Sequence, residues 1–443
     1  MTDTIRRGEA GYDEERTGFQ AAVEHRPDLI YTAENAADIG AAVEFAAAHR
    51  LPVAVQATGH GRSVPASGGV LISTRRMTGV RVHKDARTAS FGAGARWDQV
   101  IDECAPHGLA PLSGSAPHVG AVGYTLGGGL GLLSRQHGYA ADTVRSIEVV
   151  TPDGVLRTVT ADTEPDLFWT LRGGRDNFGV VTGLEVELFP VARLYGGGLS
   201  YSGDRAQFIV DTYLSWTEAL PEPMASSLAL ARFPDLPVIP EPIRGRYVAQ
   251  VRIAYAGEPG EGAELLAPLR AAAPRLLETV RDMPYAQSGS IHNDPVEPVA
   301  TCNTNVLLRT LDSAALLEHA GPDAPVPIIA EIRHLGGALA RPPAVPSAVG
   351  HRDASYLLSL VTPLDGSTGF ETVDAAHHRV HDGQRRGVTG RALNFLSGPA
   401  ATVDRVREAY EPEDHRRLQR LKAQYDPDNL FRLNHNIPPA ASV

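Results

Sequence analysis

Hydrophobic residues follow two different patterns along the chain. Up to about residue 190, short apolar runs alternate with single helical stretches, which predicts a region of interleaved short strands and helices. The expected strands are 52–56, 70–73, 80–83, 89–92, 147–151, 155–159 and 178–189. The expected helices are 35–49, with Thr32 as its N-cap, and 97–107, which Gly108 ends.

Longer alternating strands follow Pro190 and the glycine run 196–198, which together are interpreted as a domain boundary. Alternation of this kind predicts an antiparallel sheet with one face covered by helices. The expected strands are 227–232, 246–254, 304–309, 328–334 and 356–361, and the expected helices are 261–273 and 369–386.

Composition narrows the function classes. A chain of 443 residues predicts two or three domains, and a net charge of -11 argues against nucleic acid or an anionic membrane as partner. Residues 1–16 contain no apolar signal region, and no run of 18 apolar residues follows. The two cysteines make no disulfide framework, and no metal-ligand spacing occurs. These features predict a soluble cytoplasmic protein without a metal.

Two segments carry the candidate chemistry. Residues 56–63 place His60 between two glycines, and residues 114–131 are rich in glycine, which lets backbone N–H groups approach a bulky ligand. Neither 92–94 nor 127–131 completes the G-x-G-x-x-G pattern of nicotinamide-dependent enzymes. A G-x-S-x-G hydrolase elbow is also absent from the sequence.

The order of these segments resembles that of a known family. Followed by 134–138, 169–182 and the tail 425–438, they resemble the covalent flavoprotein oxidases of the vanillyl-alcohol-oxidase (p-cresol-methylhydroxylase, PCMH-type) fold, in the berberine-bridge-enzyme-like branch. The resemblance implies an α+β fold of two domains. The FAD domain is expected to be discontinuous, at 1–193 and 395–443, and the substrate domain at 194–394 to form an antiparallel sheet flanked by helices.

The resemblance also implies the cofactor and its contacts. FAD is expected to be bonded covalently to His60, and the other expected contacts are Gln56, Ala57, Thr58, Gly59, Gly61, Arg62, Ser63, Gly114, Ser115, His118, Val119, Gly120, Gly123, Tyr124, Gly127, Gly128, Gly131, Gly179, Val181, Asn434 and Asn436. Many relatives add a cysteinyl bond, but Ala116 stands at that position and Cys104 lies in a predicted helix. The histidyl bond is therefore expected alone, as in 6-hydroxynicotine-oxidase-like members, which suggests a substrate of modest size.

Candidate catalytic residues lie on the strand 328–334. Alternation puts Glu331 and Arg333 on the face opposite Ala330 and Ile332, toward a cavity. The pair is interpreted as orienting the substrate, with proton abstraction by Glu331 as a second role and a purely structural ion pair as the alternative. The tyrosines of many alcohol-oxidising relatives are missing from 392–395, where Asn394 remains to contact flavin or substrate.

The predicted function is an FAD-dependent oxidase. It would remove a hydride from a C–H next to oxygen or nitrogen of a small or specialised metabolite and pass the electrons to O₂, giving H₂O₂. Val119 matches a family position where a small residue favours oxygen as acceptor. The alternatives are a dehydrogenase with another acceptor and a low-turnover protein that sequesters a metabolite or drug. A monomer or a homodimer is expected.

Overall fold

Three β-sheets organise the molecule, of which the computed structural model describes residues 3–441. The small sheet has mixed pairing and, in spatial order, contains Asp3–Arg6, Leu29–Thr32, Val70–Ser73 and Val53–Gln56. The middle sheet is antiparallel, in the order Val80–His83, Thr88–Gly92, Val180–Glu187, Val144–Val150 and Leu156–Val159. Neither is a doubly wound parallel sheet, so the α+β prediction is confirmed.

The large sheet is antiparallel throughout and has nine strands among the described residues. Its strands in spatial order are Arg275–Glu278, Arg193–Ser202, Tyr247–Tyr255, Met224–Arg232, Ile329–His334, Tyr356–Pro363, Thr301–Leu308 and Val388–Gly390, and Arg281–Pro284 pairs with the second of these. Glu331 lies opposite Ala229 on one neighbouring strand and Ser359 on the other, which places it near the middle of the sheet.

Helices surround the sheets and bury their apolar stripes against them. The α-helices are Tyr12–Arg16, Ala36–Ala48, Trp97–Cys104, Ala121–Leu126, Ser134–His137, Pro165–Gly174, Ala206–Thr217, Pro259–Leu265, Ala267–Ala272, Ser313–Ala320, Phe370–Gly383, Val403–Arg407 and Pro412–Tyr425. Ala330 and Ile332 are fully buried in one core with Ile209 and Val373 of two of these helices. One face of the large sheet is thus covered by helices, as the alternation predicts. Within residues 3–441, no helix has the length and apolar character that a bilayer crossing requires.

Most of the predicted strands and helices are present within a few residues, and two predictions at their ends are wrong. The second helix begins after Asn35, whose side chain accepts from the N–H groups of Ala37 and Asp38, and not after Thr32, which lies in a strand. The glycine run 196–198 lies inside the strand Arg193–Ser202 and not in a linker. A Cβ at Gly197 would lie 2.5 Å from the carbonyl oxygen of Thr279, so the run permits a close strand pairing.

Two further differences concern helices. The predicted helix 261–273 is divided into Pro259–Leu265 and Ala267–Ala272, because Pro268 cannot continue the hydrogen bonding of the first helix. The helices Ala206–Thr217 and Pro412–Tyr425 were not predicted from the pattern. The domain boundaries near residues 193 and 394 remain a prediction.

A buried lysine attaches the C-terminal tail to the flank of the middle sheet. The ammonium of Lys422 donates to the Asp426 carboxylate at 2.5 Å and to the carbonyl oxygens of Asn177 and Phe431 at 2.6 and 3.1 Å. Asp426 in turn accepts from the N–H of Leu430. Because both charged side chains are almost completely buried, each depends on the other for neutralisation.

We expect Lys422→Met to lower the free energy of unfolding by about 3–5 kcal/mol, because it leaves the Asp426 carboxylate buried without its cation. The matched control is Arg416→Met on the same helix, whose ion pair with Glu413 is exposed and whose removal is expected to cost less than about 1 kcal/mol. Urea unfolding measures both. Equal effects of the two substitutions would contradict this role of Lys422.

Candidate cofactor and substrate site

A cavity of about 460 Å³ lies between the large sheet and the two smaller sheets. Most predicted site residues line it, namely Gln56, Ala57, Thr58, Gly59, His60, Gly61, Arg62, Ser63, Gly114, Ser115, His118, Val119, Gly120, Gly123, Tyr124, Val181, Glu331, Arg333, Asn394 and Asn434. Segments far apart in the sequence therefore meet at one place. No cluster of metal-ligating side chains is found within residues 3–441.

Five predicted contact residues do not line this cavity. A Cβ at Gly127 or Gly131 would lie 1.9 Å from the Asn394 side-chain oxygen or the Ser113 carbonyl oxygen, so these glycines permit close internal packing. Gly128 has a φ of +106° and packs against Val349, and Gly179 packs against the backbone of Val150. Asn436 lies beyond Asn434 along the tail. The glycine run consequently serves packing as well as access to the cavity.

Many other residues that line the cavity were not predicted from the sequence. These include Phe19, Gln20, His25, Arg175, Asp176, Asp294, Asn303, Ser359, Val361, Phe395, Ser397 and His435. Asn303, Ser359 and Val361 occupy alternating positions of large-sheet strands and face the same side as Glu331, a signal that strand alternation carries. Phe19 and Asp294 lie in irregular segments, where no periodic pattern exists.

The turn that carries His60 is held by a buried arginine. Arg62 donates to the Gln56 side-chain oxygen at 2.6 Å, to the Val23 carbonyl oxygen at 3.1 Å and to the carbonyl oxygen of Arg16. The side-chain nitrogen of Gln56 donates to the carbonyl oxygen of Thr17 at 3.1 Å. Both predicted contact residues therefore use their polar atoms to fix the turn, although they line the cavity.

His60 is a neutral imidazole held in one orientation. Its ring stacks on Phe19 with centroids 4.0 Å apart, and Nδ1 lies 2.7 Å from the Thr58 hydroxyl oxygen. Burial, assisted by the neighbouring His118, lowers the pKa of His60 to about 3. The ring is therefore uncharged at neutral pH, and a lone pair is available for bonding to carbon.

Several polar groups around the turn have no partner among the described residues. The N–H groups of Gly59, His60 and Gly61 donate no hydrogen bond, and Nε2 of His60 is buried and unpaired. The Ser63 hydroxyl, Nε2 of His118 and the Asn434 side-chain oxygen are likewise buried and unpaired. Since buried polar groups are nearly always hydrogen-bonded, this set fits a large polar ligand.

Glu331 forms the centre of a buried charge cluster on the sheet side of the cavity. Its two oxygens lie 2.8 Å from Arg333 Nε and 3.2 Å from an Arg252 nitrogen, and His292 Nε2 lies at 3.4 Å. Burial by itself would raise the pKa of Glu331, but Arg333, His292 and Arg252 hold this pKa well below its usual value. The carboxylate is consequently ionised and a weak base.

Asn394 contacts the glycine-rich segment. Its side-chain nitrogen donates to the Tyr124 carbonyl oxygen at 2.7 Å, and its oxygen lies against Gly127. The ring of Tyr124 packs edge-on against Trp97 at a centroid distance of 5.4 Å, and its buried hydroxyl has no partner among the described residues. Asn394 thus positions the cavity wall through Tyr124.

Two family models match segments of the chain that line the cavity. Residues 27–160 match the family model described as an FAD binding domain, and residues 385–438 match the one described as berberine and berberine like. The first match contains the His60 turn and the glycine-rich segment, and the second contains Asn394 and Asn434. Both matched segments contribute walls of the cavity.

Similar proteins cover almost the whole chain. (R)-6-hydroxynicotine oxidase of Paenarthrobacter nicotinovorans is 28% identical over 94% of this chain and 92% of its own. Chitooligosaccharide oxidase of Gibberella zeae is 25% identical over 99% of this chain and 92% of its own. The solved structure of 6-hydroxy-D-nicotine oxidase from Arthrobacter nicotinovorans has a TM-score of 0.86 at 24% identity and covers 99% of this chain and 98% of its own. The last likeness shows a shared fold.

Two glycines of the same glycine-rich segment should respond differently to an added methyl group. Gly127→Ala should lower the melting temperature, because its Cβ would collide with Asn394, whereas a Cβ at Gly123 meets nothing within 4 Å. Gly123→Ala should therefore leave the melting temperature of ligand-free protein unchanged or slightly raised and reduce the amount of bound flavin. Calorimetry and flavin absorbance measure both; a lowered melting temperature for both variants would contradict the assignment.

Proposed function

Since the chain is an FAD-dependent oxidoreductase of the berberine-bridge-enzyme-like branch, with the α+β fold of the vanillyl-alcohol-oxidase group, we propose that it is an oxidase with FAD bonded to His60. The observation that carries the proposal is the neutral, buried His60 ring with an unpaired nitrogen on the cavity wall. Bound flavin would supply the two-electron acceptor for a hydride. Thr58 and Phe19 would keep the ring in the orientation that bonding needs.

One covalent bond is proposed, because no described thiol reaches the cavity. Ala116 lies on the cavity wall where a cysteine would be required for a second bond. Cys104 is fully buried in the core around the middle sheet, and Cys302 is fully buried under the large sheet. Burial raises the pKa of each thiol to about 12, so neither is a ready nucleophile.

The substrate would bind on the large-sheet side of the cavity. Glu331 and Arg333 offer an acceptor and a donor there, and their mutual pairing favours orientation of a substrate hydroxyl or amine over proton abstraction. The relatives whose names give a substrate are oxidases of a hydroxynicotine and of a chitooligosaccharide. We propose for this chain a substrate with an oxidisable C–H next to nitrogen or oxygen.

Oxygen is the proposed electron acceptor. Val119 lies on the cavity wall between His118 and Gly120, and its short side chain would leave more room beside a bound flavin than a bulkier residue would. Air oxidation of photoreduced protein, followed by absorbance, tests the acceptor. Rapid recovery of the oxidised spectrum with release of H₂O₂ supports an oxidase, and reoxidation only by an added quinone or dye would identify a dehydrogenase.

His60→Ala should abolish covalent flavin and leave the fold intact. Acid-precipitated wild-type protein is expected to stay yellow, whereas precipitated His60→Ala protein should be colourless. The matched control is His118→Ala, since that ring lies 5.0 Å from the His60 ring in the same cavity and is not expected to bond flavin. Loss of covalent flavin in the control alone would reverse the assignment.

Glu331→Gln should slow anaerobic reduction of the flavin by its hydride-donating substrate and leave the flavin spectrum and oxygen reactivity unchanged. A pure orientation role predicts a raised KM and a modest fall in kcat, whereas a general base predicts a fall of about 10²–10⁴-fold. A control is Glu278→Gln, which removes the ion pairs of Glu278 with Arg270 and Arg275, in the same sheet and outside the cavity. An unchanged rate in Glu331→Gln protein would make the cluster structural.

The pH dependence tests the ionisation state of Glu331 independently. Because the folded pKa of Glu331 is lowered, its carboxylate is ionised at neutral pH and gains a proton only as the pH falls through that lowered value. The reduction rate should therefore show no titration of this group above about pH 5. A pH profile of kcat/KM measures this, and a base of pKa near 7 that disappears in Glu331→Gln protein would contradict the account.

A further inference from the structure

Arg175 has a backbone conformation that favours glycine. Its φ is +55° and its ψ is -144°, and it directly follows Gly173 and Gly174. A side chain at such a position is strained, and strain of this kind persists where the side chain has a function. Arg175 also lines the cavity beside the His60 turn.

The guanidinium of Arg175 has no partner among residues 3–441, either as a hydrogen bond or as an ion pair within 4 Å. The buried arginines Arg62 and Arg172 are satisfied, Arg62 by three acceptors and Arg172 by backbone carbonyl oxygens that include those of Phe168 and Val345. The adjacent Asp176 forms no ion pair with Arg175 within that distance. Burial lowers the pKa of Arg175, yet the group remains a cation at neutral pH.

The same guanidinium lies over the backbone of the His60 turn. A Cβ at Gly61 would lie 2.5 Å from Nη2 of Arg175, so a larger residue there would displace this guanidinium. The N–H groups of Gly59, His60 and Gly61 have no acceptor among residues 3–441, and the nearby Ser63 hydroxyl is buried and unpaired there. A fixed positive charge therefore adjoins a series of free backbone donors, an arrangement that binds anions.

We propose that Arg175 binds the diphosphate of FAD together with the backbone N–H groups of Gly59 to Gly61. The diphosphate is the part of FAD that carries full negative charge, and a guanidinium can bind two phosphate oxygens at once. Arg252 and Arg333, by contrast, are already paired with Glu331. The inference rests on FAD as the cofactor of the proposed function and does not depend on the acceptor or the substrate.

A phosphate role and a structural role predict opposite effects of Arg175→Gly. Glycine removes the backbone strain, so flavin-free Arg175→Gly protein should melt at a higher temperature than flavin-free Arg175 protein. The same substitution should weaken FAD binding. If Arg175 stabilised the fold, both stability and FAD binding would fall together.

The test uses the His60→Ala protein, in which flavin binding is expected to be reversible. Dissociation constants for FAD and for riboflavin, which lacks the phosphates, are measured by fluorescence in that protein and after adding Arg175→Gln or Arg175→Gly. We expect the FAD constant to rise at least about tenfold and the riboflavin constant to stay within about twofold. Arg145→Gln, the same charge change at an exposed site, should alter neither.

Equal weakening of FAD and riboflavin, or no change in either, would overturn the inference, as would a lower melting temperature of flavin-free Arg175→Gly protein. A higher salt concentration should also weaken FAD binding more in the protein that retains Arg175 than in the protein with Arg175→Gln. Failure of the proposed function has a different outcome. If no substrate reduced the flavin, substitution of Arg175 would still raise the FAD dissociation constant by the same factor.

Discussion

The cavity depends on the way Arg62 fixes the turn from Gln56 to Ser63. A buried guanidinium with three acceptors binds the turn to the N-terminal segment, and that segment brings Phe19 over the His60 ring. The backbone of Phe19 and Gln20 donates to the carbonyl oxygens of Thr58 and Gly59 at 3.0 and 3.1 Å. The N–H groups of Gly59 to Gly61 have no acceptor among the described residues, so the fixed turn presents them to a ligand.

The cavity combines two walls of opposite character. The wall from the smaller sheets and the tail is backbone-rich, with free N–H groups and small residues that permit close approach. The large-sheet wall contributes side chains at alternating strand positions, with Glu331 and Arg333 beside Asn303 and Ser359. We propose that these different parts of the chain bind the cofactor and orient the substrate, respectively.

Strand alternation and the His60 turn could be predicted from the sequence, because each depends on local rules. Alternation correctly put Ala330 and Ile332 in the core and Glu331 on the cavity side. The glycines were harder, since a glycine that admits a ligand and one that admits Asn394 look alike in a sequence. Phe19 and Arg175 could not be found, because their roles come from contacts between distant segments and from a strained backbone.

Peptide mapping of the wild-type protein tests the central claim most directly. Cleavage after arginine yields the peptide from Leu51 to Arg62, in which His60 is the only histidine. The account predicts that mass spectrometry finds flavin on this peptide and on no peptide that contains Cys104 or Cys302. Flavin recovered free after denaturation, or attached to any other peptide, would contradict it.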